Sequence, residues 1–154
     1  MSSKNAIIKH IETERLLPKY QNDDYQTIIN NHLKALKERV KPVLFINKTD
    51  RLIKELQLTP EQMQERFVKV ITNVNKLIKD IAPKGWGEKW QINVQEGSVC
   101  FGSAYHNWAL SLSFMQSKNI TFKDIIAHYS EGEKYKELAE KAPLHEVVLN
   151  MVIK

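Results

Sequence analysis

The stretch Asn47-Lys48-Thr49-Asp50 brings an amide, an ammonium and a carboxylate together within four residues. A carboxylate such as Asp50 can accept two parallel hydrogen bonds, one from the ring N–H and one from the exocyclic amino group of guanine; adenine offers no such pair. Lys48 can lay its aliphatic stem along a base face, and Asn47 can tie neighbouring loops together while reaching the base edge. A second stretch, Gly102-Ser103-Ala104, is built of small residues that admit close approach and can turn backbone N–H groups toward the carbonyl oxygen of the same base. An Asn-Lys-x-Asp tetrapeptide alone is a weak signal. It gains weight here because both stretches stand at the exit of an apolar run.

Those runs are the elements that must position the chemistry. Val43-Leu44-Phe45-Ile46, framed by Pro42 and a polar exit, reads as a parallel strand covered on both faces, and ligands of open α/β sheets sit at the carboxyl ends of such strands. Ser98-Val99-Cys100-Phe101 reads as a second strand leading into Gly102-Ser103-Ala104. Ahead of them, Ala6, Ile7, Ile8 and Ile11 predict a short helix that Ser2 or Ser3 can cap and Pro18 ends. Tyr25, Ile28, Ile29, His32, Leu33 and Leu36 predict another helix up to Arg39.

Between the two runs, residues 51–56 predict a short helix and Thr59-Pro60-Glu61-Gln62 a complete start signal for a long one: a cap, a proline at the first position and a capping-box partner. Its apolar stripe is Met63, Phe67, Val70, Val74, Leu77 and Ile81, and its role is packing. Pro83-Lys84-Gly85-Trp86-Gly87 ends it, and Trp90-Gln91-Ile92-Asn93-Val94 alternates as a half-buried strand does. Trp108, Leu110 and Leu112 continue with mixed spacing. Thr121-Phe122-Lys123-Asp124 caps a helix through Ile125 and Ile126, and Leu144, Val147, Val148, Met151 and Val152 mark a last one. That apolar helix is still in progress at Lys154, as expected for a piece of a longer protein.

With 154 residues, 42% of them hydrophobic and 27% charged, the chain suits one domain with a real core. A net charge of +5 permits an anionic partner, but the lysines are spread as on a solvated surface. A lone cysteine, Cys100, excludes an internal disulfide framework and fits core packing better than nucleophilic chemistry. No apolar stretch approaches the ~20 residues of a membrane span, so the expectation is a cytoplasmic protein. His10, His32, His106, His128 and His145 show no metal-ligand spacing, and no metal site is identifiable. His106, next to Asn107-Trp108, reads as a space-filling loop residue beside the base pocket.

From about Leu33 to Lys154 the sequence resembles the second half of the GTP-binding domain of archaeal or eukaryotic translation elongation factor 2, the archaeal form being nearer. The resemblance is carried by residues 36–48, by 50–56 and by Gly97-Ser98-Val99-Cys100-Phe101-Gly102-Ser103-Ala104-Tyr105-His106-Asn107-Trp108-Ala109. It implies an α/β fold, a partial P-loop-type GTP-binding domain at 33–154 with the family's helical/β insert at about 52–97. It also implies that Asn47, Lys48 and Asp50 occupy the guanine-specificity motif and Ser103 and Ala104 the last guanine-binding loop. The 1–32 segment, read as helical, resembles nothing in the family.

The departures set the functional expectation. A phosphate cradle needs a glycine-rich loop ending in Gly-Lys-Ser/Thr, and the chain has none; nor has it an Asp-x-x-Gly segment or a switch. No GTPase activity is therefore expected of this chain alone, and GTP or GDP should bind weakly, because phosphate contacts carry much of the affinity. The alternative is a non-catalytic interaction protein at the ribosome or on a translation factor. One edge of strand Val43–Ile46 should also lack its usual neighbour, leaving it to be covered by the N-terminal helices, paired in a homodimer, or completed by a second chain.

Overall fold

Strand β2, Lys41–Ile46, is buried at every position after Lys41, as an apolar run without alternation requires when both faces of a sheet are covered. In the computed structural model, which describes the backbone of residues 5–9 and residues 40–132 and 134–153, it is an inner strand of a four-stranded sheet ordered β1-β2-β3-β4. Strand β1 is Asn5–Lys9, β3 is Val99–Ser103 and β4 is Trp108–Ser111. β1 and β3 flank β2 in parallel, with Ile7 opposite Val43 and Phe101 opposite Ile46; β4 returns antiparallel, with Ser103 opposite Trp108.

The first strand corrects two expectations. Ala6, Ile7 and Ile8 lie in a strand, not a helix, and the flank of β2 expected to be vacant is occupied by this same chain. The two corrections share a cause. An unpaired edge of β2 would leave a row of backbone N–H and C=O groups without partners, whereas isoleucine, stiff at χ1, fits a strand well. Tertiary context thus outweighs the local helical pattern. The predicted helix at Tyr25–Arg39 lies outside the described residues.

Two helices join β2 to β3. Helix α1, Thr49–Lys54, begins two residues earlier than the sequence pattern indicates. Helix α2, Pro60–Ile81, starts where predicted: Gln62 N–H donates to Thr59 Oγ1 and Thr59 N–H donates to Gln62 Oε1, closing the capping box. Met63, Phe67 and Val70 are buried, but Ile78 and not Leu77 completes the face; Leu77 is 45% exposed and Ile78 1%. Val74 and Ile81 are half-buried, so at this end of the helix the inward face runs through Ile78.

Residues 90–94 are a loop rather than the predicted strand. Trp90 and Ile92 do point inward, which explains the alternation. Side chains stand in for a neighbouring strand: Ile92 N–H donates to Asn75 Oδ1 at 2.7 Å, Asn75 Nδ2 donates to Ile92 O at 2.9 Å, and Asn93 N–H donates to Ser98 Oγ at 2.7 Å. Beyond β4 come α3, Leu112–Lys118; α4, Phe122–Ser130; α5, Tyr135–Lys141; and α6, Leu144–Ile153. The sequence pattern announced α4 and α6; α3 and α5 are additions. The core joins β2, β3 and β4 to Phe67 of α2, Ile125 and Tyr129 of α4, Leu138 of α5, and Val147 and Met151 of α6. Among the described residues, no helix is long and apolar enough to cross a membrane.

Candidate functional site

Both predicted loops emerge at the carboxyl ends of adjacent parallel strands, β2 and β3, and one side chain joins them. Asn47 Oδ1 accepts the Ala104 N–H at 2.9 Å across 57 residues of sequence, and also the Lys48 N–H at 2.8 Å. Lys48 takes a left-handed backbone conformation, φ 65° and ψ 31°, which costs an ordinary side chain about 1 kcal/mol or more. That turn drives the chain straight into α1, where Arg51 N–H donates to Lys48 O. Lys48 is thereby exposed, Thr49 buried inward, and Asp50 half-buried in the first helical turn, where the helix dipole favours a carboxylate.

On the β3 side, Gly102 pairs with Ala109 at a distance no other residue tolerates: a Cβ there would meet Trp108 O at 2.1 Å. The close approach anticipated for Gly102-Ser103-Ala104 is thus made to the chain's own strand β4. Ser103 is fully buried and its Oγ accepts the His106 N–H at 3.2 Å, bending the loop back, while Ala104 is exposed. Asn47, Lys48, Asp50, Ser103 and Ala104 are in this way brought to one end of the sheet, with Asn47 and Ala104 in direct contact. In this arrangement the Ala104 N–H is held by Asn47 and the His106 N–H by Ser103.

A layer of aromatic groups backs the second loop. His106 Nδ1 lies 2.9 Å from the Tyr129 hydroxyl, and its ring packs 4.1 Å from that of Tyr135. Burial is the main influence lowering the His106 pKa below its usual 6.5, with Lys54 acting the same way and Asp50 against it. Lys54 Nζ stands 5.2 Å over the Tyr135 ring and 5.5 Å over the Tyr129 ring. Tyr129, Tyr135 and Lys54 carry no motif, so sequence reasoning passed them over. For Tyr129 the only signal was its position four residues beyond Ile125 on the buried face of a capped helix. Among the described residues, no group of three or more His, Cys, Asp or Glu comes together as metal ligands would.

The Elongation factor Tu GTP binding domain matches the chain over residues 21–154. The chain belongs to this family. Within it, the chain is similar to elongation factor 2 of Methanocaldococcus jannaschii, with 63% identity over 120 residues that make up 78% of this chain and 16% of the relative. Elongation factor 2 of Methanococcus aeolicus shows 63% identity over 119 residues, 77% of this chain and 16% of the relative. That of Thermococcus kodakarensis shows 62% over 120 residues, again 78% and 16%. The chain therefore spans about one sixth of the length of these relatives, and what it shares with them is an elongation-factor-2-type portion of the GTP-binding domain.

Proposed function

We propose that this chain is the base-reading part of an elongation-factor-2-type GTP-binding domain, with the phosphate-handling part absent from its sequence. Asn47 clamps the two loops, Lys48 covers a base face, Asp50 accepts from the guanine ring N–H and amino group, and Ser103 and Ala104 shape the second loop. The observation that carries this reading is the hydrogen bond from Ala104 N–H to Asn47 Oδ1, which holds both motifs at one sheet end. The chain lacks Gly-Lys-Ser/Thr, so the affinity for GTP or GDP is low and no hydrolysis is catalysed by this chain alone. The segment at about 52–97, built round α2, serves as the family's insert, and 33–154 forms one partial domain behind a distinct N-terminal segment. The site of action is the cytoplasm.

Fluorescent GDP titrated with the isolated chain tests the reading. Saturable binding at high micromolar protein is expected, and its absence sinks the base-reading role. Asp50→Asn should weaken guanine and favour xanthine nucleotides, because an amide can donate to the xanthine oxygen where a carboxylate cannot.

A second reading is favoured by the named relatives, which are translation factors. In it the chain is a non-catalytic interaction protein at the ribosome or on a translation factor, with its guanine residues inherited. Co-sedimentation with ribosomes at graded salt decides this, and a chain that never shifts with ribosomes counts against it.

A further inference from the structure

Two partners converge on one phenolic oxygen. Trp108 Nε1 donates to the Tyr129 hydroxyl at 2.8 Å, and His106 Nδ1 lies 2.9 Å from it. These partners are the middle of the Ser103–Trp108 loop and its last residue. Tyr129 is not part of that loop. It stands on α4, whose start is fixed by a capping box in which Thr121 N–H donates to Asp124 Oδ2 and Asp124 N–H donates to Thr121 Oγ1.

The ring that presents this oxygen is itself held. It is 8% exposed, stacks on Tyr135 at 5.5 Å and 15°, and carries the Lys54 ammonium over one face. Donor and acceptor accounting then gives the bonds one consistent set of directions. An indole N–H can only donate, so the Tyr129 oxygen accepts from Trp108. Burial pushes the Tyr129 phenol well above its ordinary range, so it keeps its own hydrogen. That hydrogen has His106 Nδ1 as its acceptor, which assigns the proton of the neutral imidazole to Nε2. Ser103 Oγ accepts the His106 N–H, which ties the start of the loop to its middle.

We propose that Tyr129 is the positioning residue of the Ser103–Trp108 loop: its hydroxyl, delivered from α4, holds the middle and the end of the loop in the shape that keeps the Ala104 N–H on Asn47. This rests on the base-reading role proposed above, and it adds a determinant outside both guanine motifs. Nothing else among the described contacts ties the Trp108 indole N–H, so loss of the hydroxyl leaves a buried donor unpaired beside the loop.

The test is Tyr129→Phe in the full chain, which keeps the ring, its stack and the cation above it and removes one oxygen. Amide exchange by NMR should quicken at Ala104, Tyr105 and His106 by roughly tenfold beyond any change in β2, and the Trp108 indole resonance should move. Ile125→Val on the same helix serves as control; it lowers global stability and should alter loop and β2 amides alike. Should Tyr129→Phe fail to fold, His106→Phe keeps an aromatic ring, removes the nitrogen that meets the Tyr129 hydroxyl, and gives the same local signature at smaller amplitude. Loop amides that follow β2 in Tyr129→Phe, or an unmoved indole resonance, overturn the proposal. Loosening in a chain that binds no GDP supports the positioning role and overturns the base-reading role alone.

Discussion

Asn47 and Ala104 stand 57 residues apart in sequence and share a 2.9 Å hydrogen bond, in which the side-chain oxygen of one loop receives the main-chain N–H of the other. The same oxygen also receives the N–H of Lys48, so one amide group fixes the turn that carries Lys48 and Asp50 and docks the neighbouring loop against it. Structure and proposed base recognition thus depend on a single acceptor.

Replacing Asn47 by Ala should therefore cost twice. The two N–H groups lose their acceptor, and a destabilisation of roughly 1–3 kcal/mol in urea unfolding is expected. GDP binding should weaken by more than stability alone predicts, because Ala104 no longer has a fixed place. A variant that unfolds earlier yet binds fluorescent GDP as before would show that the clamp is structural only.

Thr49 offers the opposite case. It is fully buried between exposed Lys48 and half-buried Asp50, and among the described residues its hydroxyl has no hydrogen-bond partner. Valine has nearly the same shape and no polar atom to desolvate. Thr49→Val should stabilise the chain by about 1 kcal/mol, read as a higher urea midpoint at unchanged slope, with nucleotide affinity unaltered. A lower midpoint would mean that the hydroxyl is hydrogen-bonded in solution.

How far these features could be read in advance differs from residue to residue. Val43–Ile46 announced its strand because an unbroken apolar run framed by proline has few other uses, and Thr59 and Gln62 announced α2 through local bonds alone. Ile7 and Ile8 were misread because their pairing with β2 is a long-range event: periodicity reports which face is apolar, not which backbone lies alongside. Residues 90–94 failed for the converse reason, since Asn75 supplies the hydrogen bonds that a strand would have provided. In the site, Asn47, Lys48 and Asp50 were legible as a short motif. Tyr129 was not, because an aromatic on a helix face looks the same whether its hydroxyl is idle or holds a loop.

Gly102 is legible only through geometry. Its place in β3 opposite Ala109 leaves no room for a methyl group, which would fall 2.1 Å from Trp108 O and 2.7 Å from Ala109 Cα, both backbone atoms. Backbone cannot swing aside as a side-chain tip can, so β3 and β4 must part. Gly102→Ala should cost at least the ~1–3 kcal/mol typical of overpacking, and it should carry the Ser103 loop with it. Circular dichroism with temperature checks the first and amide exchange at Ala104 the second. A variant as stable as the parent would show that the sheet end can relax at little cost.

His106 gives the stability of this region a pH dependence with a definite sign. In the folded chain, burial is the chief reason that its pKa lies below 6.5, helped by Lys54 and opposed by Asp50. Folding thus favours the neutral imidazole, the form whose Nδ1 can accept the Tyr129 hydroxyl hydrogen. Above 6.5 both states are neutral and the contribution is fully present. As pH falls from 6.5 toward the lowered folded value, the unfolded chain takes up protons first and stability declines; below that value the loss is complete. Carboxylates held low by hydrogen bonds, such as Asp124, lose their own contribution only at more acidic pH. The comparison that isolates His106 is the urea midpoint of the parent and of His106→Asn, each between about pH 7.5 and 5. The gap between them should change with pH in favour of the variant on the acid side, where asparagine has no proton to accept. A gap that stays constant across the window would mean that His106 titrates alike in both states.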